Sequence, residues 1–129
     1  MNVLGFLTPD NQFESWCFEG NVNTDVVIAV FDEFANRNSG TKRVVIMDNA
    51  PIHTSNDFIA NLDEWEGKGV FIKALPTYCP ELNSIEILWR FIKYLWLPFS
   101  AFISYNALVK EVENILTQIG DEYTIDFAY

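Results

Sequence analysis

One short run of aliphatic residues, Arg43–Met47, limits the folds open to this chain more than any other segment. After its arginine it reads Val-Val-Ile-Met with no polar residue in alternation, and Asp48 follows directly. An unbroken apolar run of this length is typical of a strand that is buried on both faces, as in a parallel sheet between helices. The sequence therefore predicts an α/β fold with this segment as an inner strand.

The rest of the chain alternates between strand-like and helical patterns. Pro9 and Asp10 separate two short apolar runs and favour a hairpin turn, and Asn23 or Thr24 can cap the helix that follows. The predicted strands are 2–7, 13–18, 43–47 and 70–75, and helices are predicted over 55–64 and 104–119. A further helix lies between the second and third strands, and its apolar face is Val27, Val30, Phe31 and Phe34. Another helix begins after Asn83 and is stopped by Pro98, and its apolar face is Ile85, Leu88, Trp89, Ile92, Leu95 and Trp96.

Composition predicts a single domain over 1–129 and limits its partners. Half of the residues are hydrophobic, but the longest apolar runs are far too short to span a membrane, so no membrane partner is expected. Eighteen acidic residues against eight basic ones give a net charge of −10, which repels a phosphate backbone. Strong DNA binding by this chain alone is therefore not predicted. The two cysteines form neither a disulfide framework nor a zinc-ligand spacing, which favours a reducing cytoplasm.

Two segments carry the candidate chemistry. The first passes from the strand through Asp48 and Asn49 to His53, the single histidine of the chain. The second, over 75–89, reads Leu-Pro-Thr-Tyr-Cys-Pro-Glu-Leu-Asn-Ser-Ile-Glu-Ile-Leu-Trp and places Glu86 in the first turn of a helix. A carboxylate at the end of a strand and one at the start of a helix are both held at a sheet rim, where α/β folds bind their ligands.

Both segments resemble the catalytic domain of the Tc1/mariner and IS630 group of DDE transposases. The resemblance covers about 2–97 and is most specific over 44–89. Two residues depart from the family pattern: Ser84 stands where the family usually has proline, and Cys79 stands where it usually has serine. It implies an RNase H-like α/β fold, a mixed sheet with flanking helices. It also implies that the family's first aspartate lies on a strand upstream of 2–7, so we expect a domain that is incomplete at its N-terminus, with the first strand missing.

For the site, the resemblance implies that Asp48 and Glu86 are catalytic residues that bind Mg²⁺ or Mn²⁺. Asn49, His53 and Asn83 are expected to support them. Two hard cations held by carboxylates can activate the attacking oxygen and stabilise the leaving oxygen of a phosphodiester. The implied activity is cleavage and transfer of DNA strands at transposon ends, in the cytoplasm and at the nucleoid of a prokaryote.

Two basic residues on the same predicted helix are candidate DNA contacts. Arg90 and Lys93 follow Glu86 by one turn and by nearly two, so the helix can present them beside the carboxylate. The alternative is that both are solvated surface charges on an amphipathic helix. The resemblance leaves that choice open.

Without the first aspartate, the isolated chain is expected to be weak or inactive and to bind metal weakly. Asp10, Asp25, Asp32 and Glu33 are poorly placed to replace it, since they fall in a hairpin turn or around the first helix. An unpaired sheet position and exposed apolar surface predict a homodimer or a larger assembly. The alternative function is a noncatalytic remnant that acts only by associating with itself or with full-length transposase.

Each candidate residue also has an ordinary structural interpretation. Asp48 could end its strand as an Asx-turn with Asn49, and Glu86 could close a capping box with Asn83. His53 could be a loop histidine. An RNase H-like nuclease unrelated to transposition is a further alternative.

Overall fold

The computed structural model describes residues 1–48, 55–75 and 83–127. Its elements are β1 (Asn2–Leu7), β2 (Phe13–Phe18), α1 (Thr24–Asn36), β3 (Arg43–Met47), α2 (Asn56–Ile59), α3 (Leu62–Gly67), β4 (Val70–Ala74), α4 (Ser84–Phe91), a π-helical turn (Ile92–Trp96), a 3₁₀ helix (Phe99–Ile103) and α5 (Tyr105–Thr117). The order of strands and helices is the one predicted, except that the helix expected over 55–64 is two short helices.

The predicted hairpin is confirmed. Strands β1 and β2 pair antiparallel, with Asn2 opposite Phe18 and Leu7 opposite Phe13. Asn11 in the connecting loop has a φ of 66°, a left-handed conformation that asparagine tolerates better than most residues. Its side chain donates to the carbonyl oxygen of Ile125 at 2.8 Å and accepts from the Ile125 N–H at 2.7 Å. The hairpin loop thereby holds the C-terminal segment against the domain.

Helix α1 forms the centre of the larger hydrophobic core. Its N-cap is Asn23, whose side-chain oxygen accepts from the Val26 N–H at 3.0 Å. The predicted apolar face is confirmed, since Val27, Val30, Phe31 and Phe34 are all buried. The buried residues packed around this face are Ala35, Phe58, Trp65 and Val70.

The single mixed sheet that was expected is not formed by the described strands. These strands make two separate two-stranded sheets, β1 with β2 antiparallel and β3 with β4 parallel. The prediction that Arg43–Met47 is buried on both faces is wrong. Val45 and Met47 pack against the core, whereas Val44 and Ile46 are 54% and 57% exposed. The physical reason is that only one face of β3 is covered by the described helices.

A second core joins the C-terminal helices to the hairpin. Leu88, Ile92, Ile115 and Leu116 are buried there, and residues of β1 and β2 pack against them. The prediction that Leu95 lies on the apolar face of α4 is wrong, because the helix passes into the π-helical turn Ile92–Trp96. The wider turn rotates the later side chains relative to a continuous α-helix, and Leu95 is 68% exposed. No helix among the described residues is long and apolar enough to cross a membrane.

Candidate metal-binding carboxylates

Asp48 lies at the carboxyl end of β3, at the edge where β3 and β4 both end. The two strands are parallel, with Met47 opposite Ala74, and the Leu75 N–H donates to the Met47 carbonyl oxygen at 2.8 Å. The side chain of Asp48 is exposed. The strand end therefore presents this carboxylate to solvent at the rim where parallel strands place ligands.

Glu86 lies in the first turn of α4, as predicted. The helix begins after Asn83, and the Glu86 N–H donates to the Asn83 carbonyl oxygen at 3.1 Å. Within the described part of the chain the Glu86 side chain is exposed and makes no hydrogen bond or ion pair, so the capping box with Asn83 is not formed there. Its charge is favoured by the positive end of the helix dipole.

Several predicted site residues lie outside the described residues. Asn49 and His53 fall in 49–54, and the segment that joins β4 to α4 falls in 76–82. Among residues 1–48, 55–75 and 83–127, no three His, Cys, Asp or Glu side chains form a group that could hold a metal ion. Of the predicted site residues the structure therefore describes Asp48, Glu86 and Asn83, which is the N-cap of α4.

The two candidate DNA-contacting residues are both exposed. Arg90 lies on the same face of α4 as Glu86, four positions later, and lines a shallow apolar depression with Phe91, Tyr94 and others. Lys93 lies in the π-helical turn, with its Nζ atom 5.2 Å from the centre of the Tyr94 ring. Both cations are thus on the helix that carries Glu86. Arg90 is the better placed of the two beside that carboxylate.

Lys73 is a further cation of the β3–β4 sheet, and no role was predicted for it. It lies on β4 directly opposite Ile46, on the exposed face of the β3–β4 sheet and close to the strand ends. Its occurrence inside an otherwise apolar strand was the signal in the sequence, since a lysine there must point away from the core. It adds a positive charge to the edge at which Asp48 lies.

The acidic residues considered as substitutes for a third ligand have structural roles. Asp32 accepts from the Trp65 indole N–H at 2.8 Å, and Glu33 accepts from Trp16 at 2.9 Å and from Arg37 at 2.8 Å. Asp10 accepts from the Thr8 hydroxyl within the hairpin loop. These bonds hold helix α1 to its neighbours and close the hairpin. They give no reason to assign the three acids to a metal site.

The donor chemistry at Asp48 and Glu86 fits a hard divalent cation. Mg²⁺ and Mn²⁺ prefer carboxylate oxygens and are often held by one or two protein carboxylates, with water and substrate oxygens filling the other positions. Both residues are exposed to solvent.

The domain is a mixed α/β fold with an aspartate after a parallel strand and a glutamate at the start of a helix. Metal-dependent nucleases are built on scaffolds of this kind. Residues 1–109 match the family model of the DDE superfamily endonuclease. The chain belongs to that family. Its members generally use divalent metals and act on DNA. No curated protein and no solved structure shows a significant match to the chain.

Proposed function

We propose that this chain is the catalytic domain of a transposase of the IS630/Tc1/mariner group, with an RNase H-like fold, that cleaves and transfers DNA strands. The observation that carries the proposal is that the family match over 1–109 includes both β3, which ends at Asp48, and α4, which begins with Glu86 in its first turn. The whole chain, 1–129, is one such domain. It acts in the cytoplasm of a prokaryote, on DNA of the nucleoid.

In this proposal Asp48 and Glu86 hold Mg²⁺ or Mn²⁺. When bound, the metal polarises the phosphodiester and lowers the pKa of an attacking water. Asp48 is fixed by the parallel pairing of β3 with β4, and Glu86 by the first turn of α4. Asn49, His53 and Asn83 support the two ligands, and Arg90 and Lys93 contact phosphates of the transposon end.

The isolated chain is proposed to be a weak enzyme for two reasons. Among the described residues no three His, Cys, Asp or Glu side chains lie together as a metal-binding group. The net charge of −10 also opposes binding of a phosphate backbone.

The alternative function is association without catalysis, with itself or with full-length transposase. A specific observation favours self-association: a group of large apolar side chains is exposed within one segment, from the π-helical turn through the 3₁₀ helix to the first residue of α5. The members of this group are Tyr94, Leu95, Phe99, Phe102, Ile103 and Tyr105, and Phe99 is 97% exposed. Exposed apolar side chains of this kind are typical of protein–protein interfaces, so we propose a homo-oligomer that uses this segment.

Nicking of supercoiled plasmid DNA in Mn²⁺ tests the catalytic proposal. We expect slow nicking by the chain, and we expect Asp48→Ala and Glu86→Ala each to lower the nicking rate at least about tenfold. The reason is that removing a metal ligand should reduce activity at least as much as removing a residue that only supports a ligand. Asp57→Ala, which removes an exposed carboxylate in the first turn of α2, is the matched control and should nick like the parent. Nicking that both site variants retain in full would contradict the assignment.

A further inference from the structure

The longest run of the chain without a charged residue is 94–109, and we name its first part, 94–105, the uncharged segment. This segment passes from the π-helical turn through the 3₁₀ helix to the first residue of α5, and the turn and the 3₁₀ helix both contact α5. Each chain has a net charge of −10. A second copy can therefore approach this segment with less repulsion between like charges than it would meet elsewhere.

A shallow apolar depression lies next to the protruding part of this segment. The residues that line it are Ile87, Arg90, Phe91, Tyr94 and Leu95, and its volume is about 390 Å³. Phe99 follows Leu95 by four residues, so their Cα atoms lie no more than about 14 Å apart. The Phe99 side chain is 97% exposed, so it does not fill the depression of its own chain. A protruding ring and an apolar depression that lie this close together can be matched reciprocally in a two-fold dimer.

The charges at the two ends of the uncharged segment are opposite. Arg90 and Lys93 precede it, on α4 and in the π-helical turn. At its other end, the Tyr105 hydroxyl donates to the Glu19 carboxylate at 2.6 Å. A two-fold axis perpendicular to the segment brings the basic end of one copy to the acidic end of the other. The surface is therefore complementary in charge to a second copy of itself.

The exposed apolar surface is large enough for a stable dimer. Six side chains of the segment are each more than half exposed: Tyr94, Leu95, Phe99, Phe102, Ile103 and Tyr105. Since aromatic side chains present about 150–250 Å² each, the six together expose on the order of 700 Å². A stable interface buries about 800 Å² per partner. Arg90 and Lys93 at the rim can supply the remainder.

We propose that two copies of the chain form a two-fold dimer through the uncharged segment, in which Phe99 of each copy enters the depression of the other and Arg90 is covered. One consequence rests on the proposed function, which assigns Arg90 and Lys93 to DNA phosphates. The dimer and DNA then exclude each other, because both use the same two cations. The monomer is the form that binds DNA, and self-association limits the activity.

Sedimentation equilibrium in EDTA, without DNA, tests the dimer itself. We expect Phe99→Ser to raise the dimer dissociation constant at least about 30-fold, the effect of truncating a residue at the centre of an interface. Because Phe99 is almost fully exposed, the thermal unfolding of this variant should match that of the parent chain. Ile59→Ser is the matched control, since Ile59 is 50% exposed on α2, and should leave the dissociation constant unchanged.

Mixing the Phe99→Ser chain with a Leu95→Ser chain tests the reciprocal contact. Each variant dimer alone has both Phe99 contacts altered, whereas a mixed dimer keeps one contact intact: Phe99 of the Leu95→Ser chain in the unaltered depression of the other chain. We expect the mixed dimer to be at least about tenfold tighter than either variant dimer, as residues in direct contact are energetically coupled. Sedimentation of one fluorescently labelled chain, titrated with the other, measures this. A mixed dimer no tighter than both variant dimers would overturn the proposal.

Modification of arginine by phenylglyoxal, located by mass spectrometry, tests whether Arg90 is covered. We expect Arg90 to react several-fold more slowly in the dimer than in the Phe99→Ser monomer, while Arg37, which is exposed on another part of the chain, reacts equally in both. Equal reactivity of Arg90 in the two forms would overturn the proposal. So would a chain that stays monomeric at its highest soluble concentration, and binding of that monomer to phosphatidylcholine vesicles would assign the segment to a membrane surface instead. A chain that dimerises in this way but never nicks DNA would contradict the proposed function alone.

Discussion

Replacing Trp65 by Ala is expected to lower the free energy of unfolding by about 3–5 kcal/mol, the range for truncating a large buried aromatic residue. Trp65 is completely buried, and its ring lies 5.0 Å from that of Phe31 and 5.1 Å from that of Phe58. Its indole N–H also donates to Asp32 at 2.8 Å. The loss is a large share of the total stability of a small domain, about 5–15 kcal/mol.

Urea unfolding followed by circular dichroism measures this effect. Trp65→Phe keeps much of the ring volume and loses the bond to Asp32, so it should cost less than Trp65→Ala. Glu66→Ala is the surface control, since Glu66 is exposed on the same helix, and should change stability by no more than about 0.5 kcal/mol. A Trp65→Ala protein as stable as the Glu66→Ala protein would show that α1, α2 and α3 do not share the core described above.

The parts of the fold that depend on local sequence were predicted correctly. The β1–β2 hairpin follows from turn-forming residues between two apolar runs, and α1 follows from a side-chain cap at Asn23 and apolar residues three and four apart. These signals act over a few residues. They therefore hold whatever surrounds the segment.

The parts of the fold that depend on residues distant in the sequence were not predicted correctly. Composition marks Arg43–Met47 as a strand, but whether Val44 and Ile46 are covered depends on which elements pack on that face. The apolar pattern of α4 likewise carries no signal for the π-helical turn that exposes Leu95. Both errors arose from assuming a regular geometry over a longer stretch than the chain maintains.

For the candidate site, too, the local positions of residues were predicted but their long-range contacts were not. The positions of Asp48 after β3 and of Glu86 in the first turn of α4 follow from local patterns, and the structure has both. The role of Asp32 as an acceptor for the Trp65 indole could not be predicted, because it joins residues far apart in the chain. Whether Asp48 and Glu86 share one metal ion stays a prediction.

Paramagnetic broadening by Mn²⁺ in ¹⁵N-labelled protein tests that prediction most directly. We expect substoichiometric Mn²⁺ to broaden the amide signals around Asp48 and around Glu86 together, and expect both Asp48→Asn and Glu86→Gln to remove the broadening at both places. One shared ion requires this coupled loss. Broadening that instead centres on other exposed acids, such as Asp63 and Glu64 on α3, and that persists unchanged in Asp48→Asn would contradict the assignment of these two carboxylates as the metal ligands.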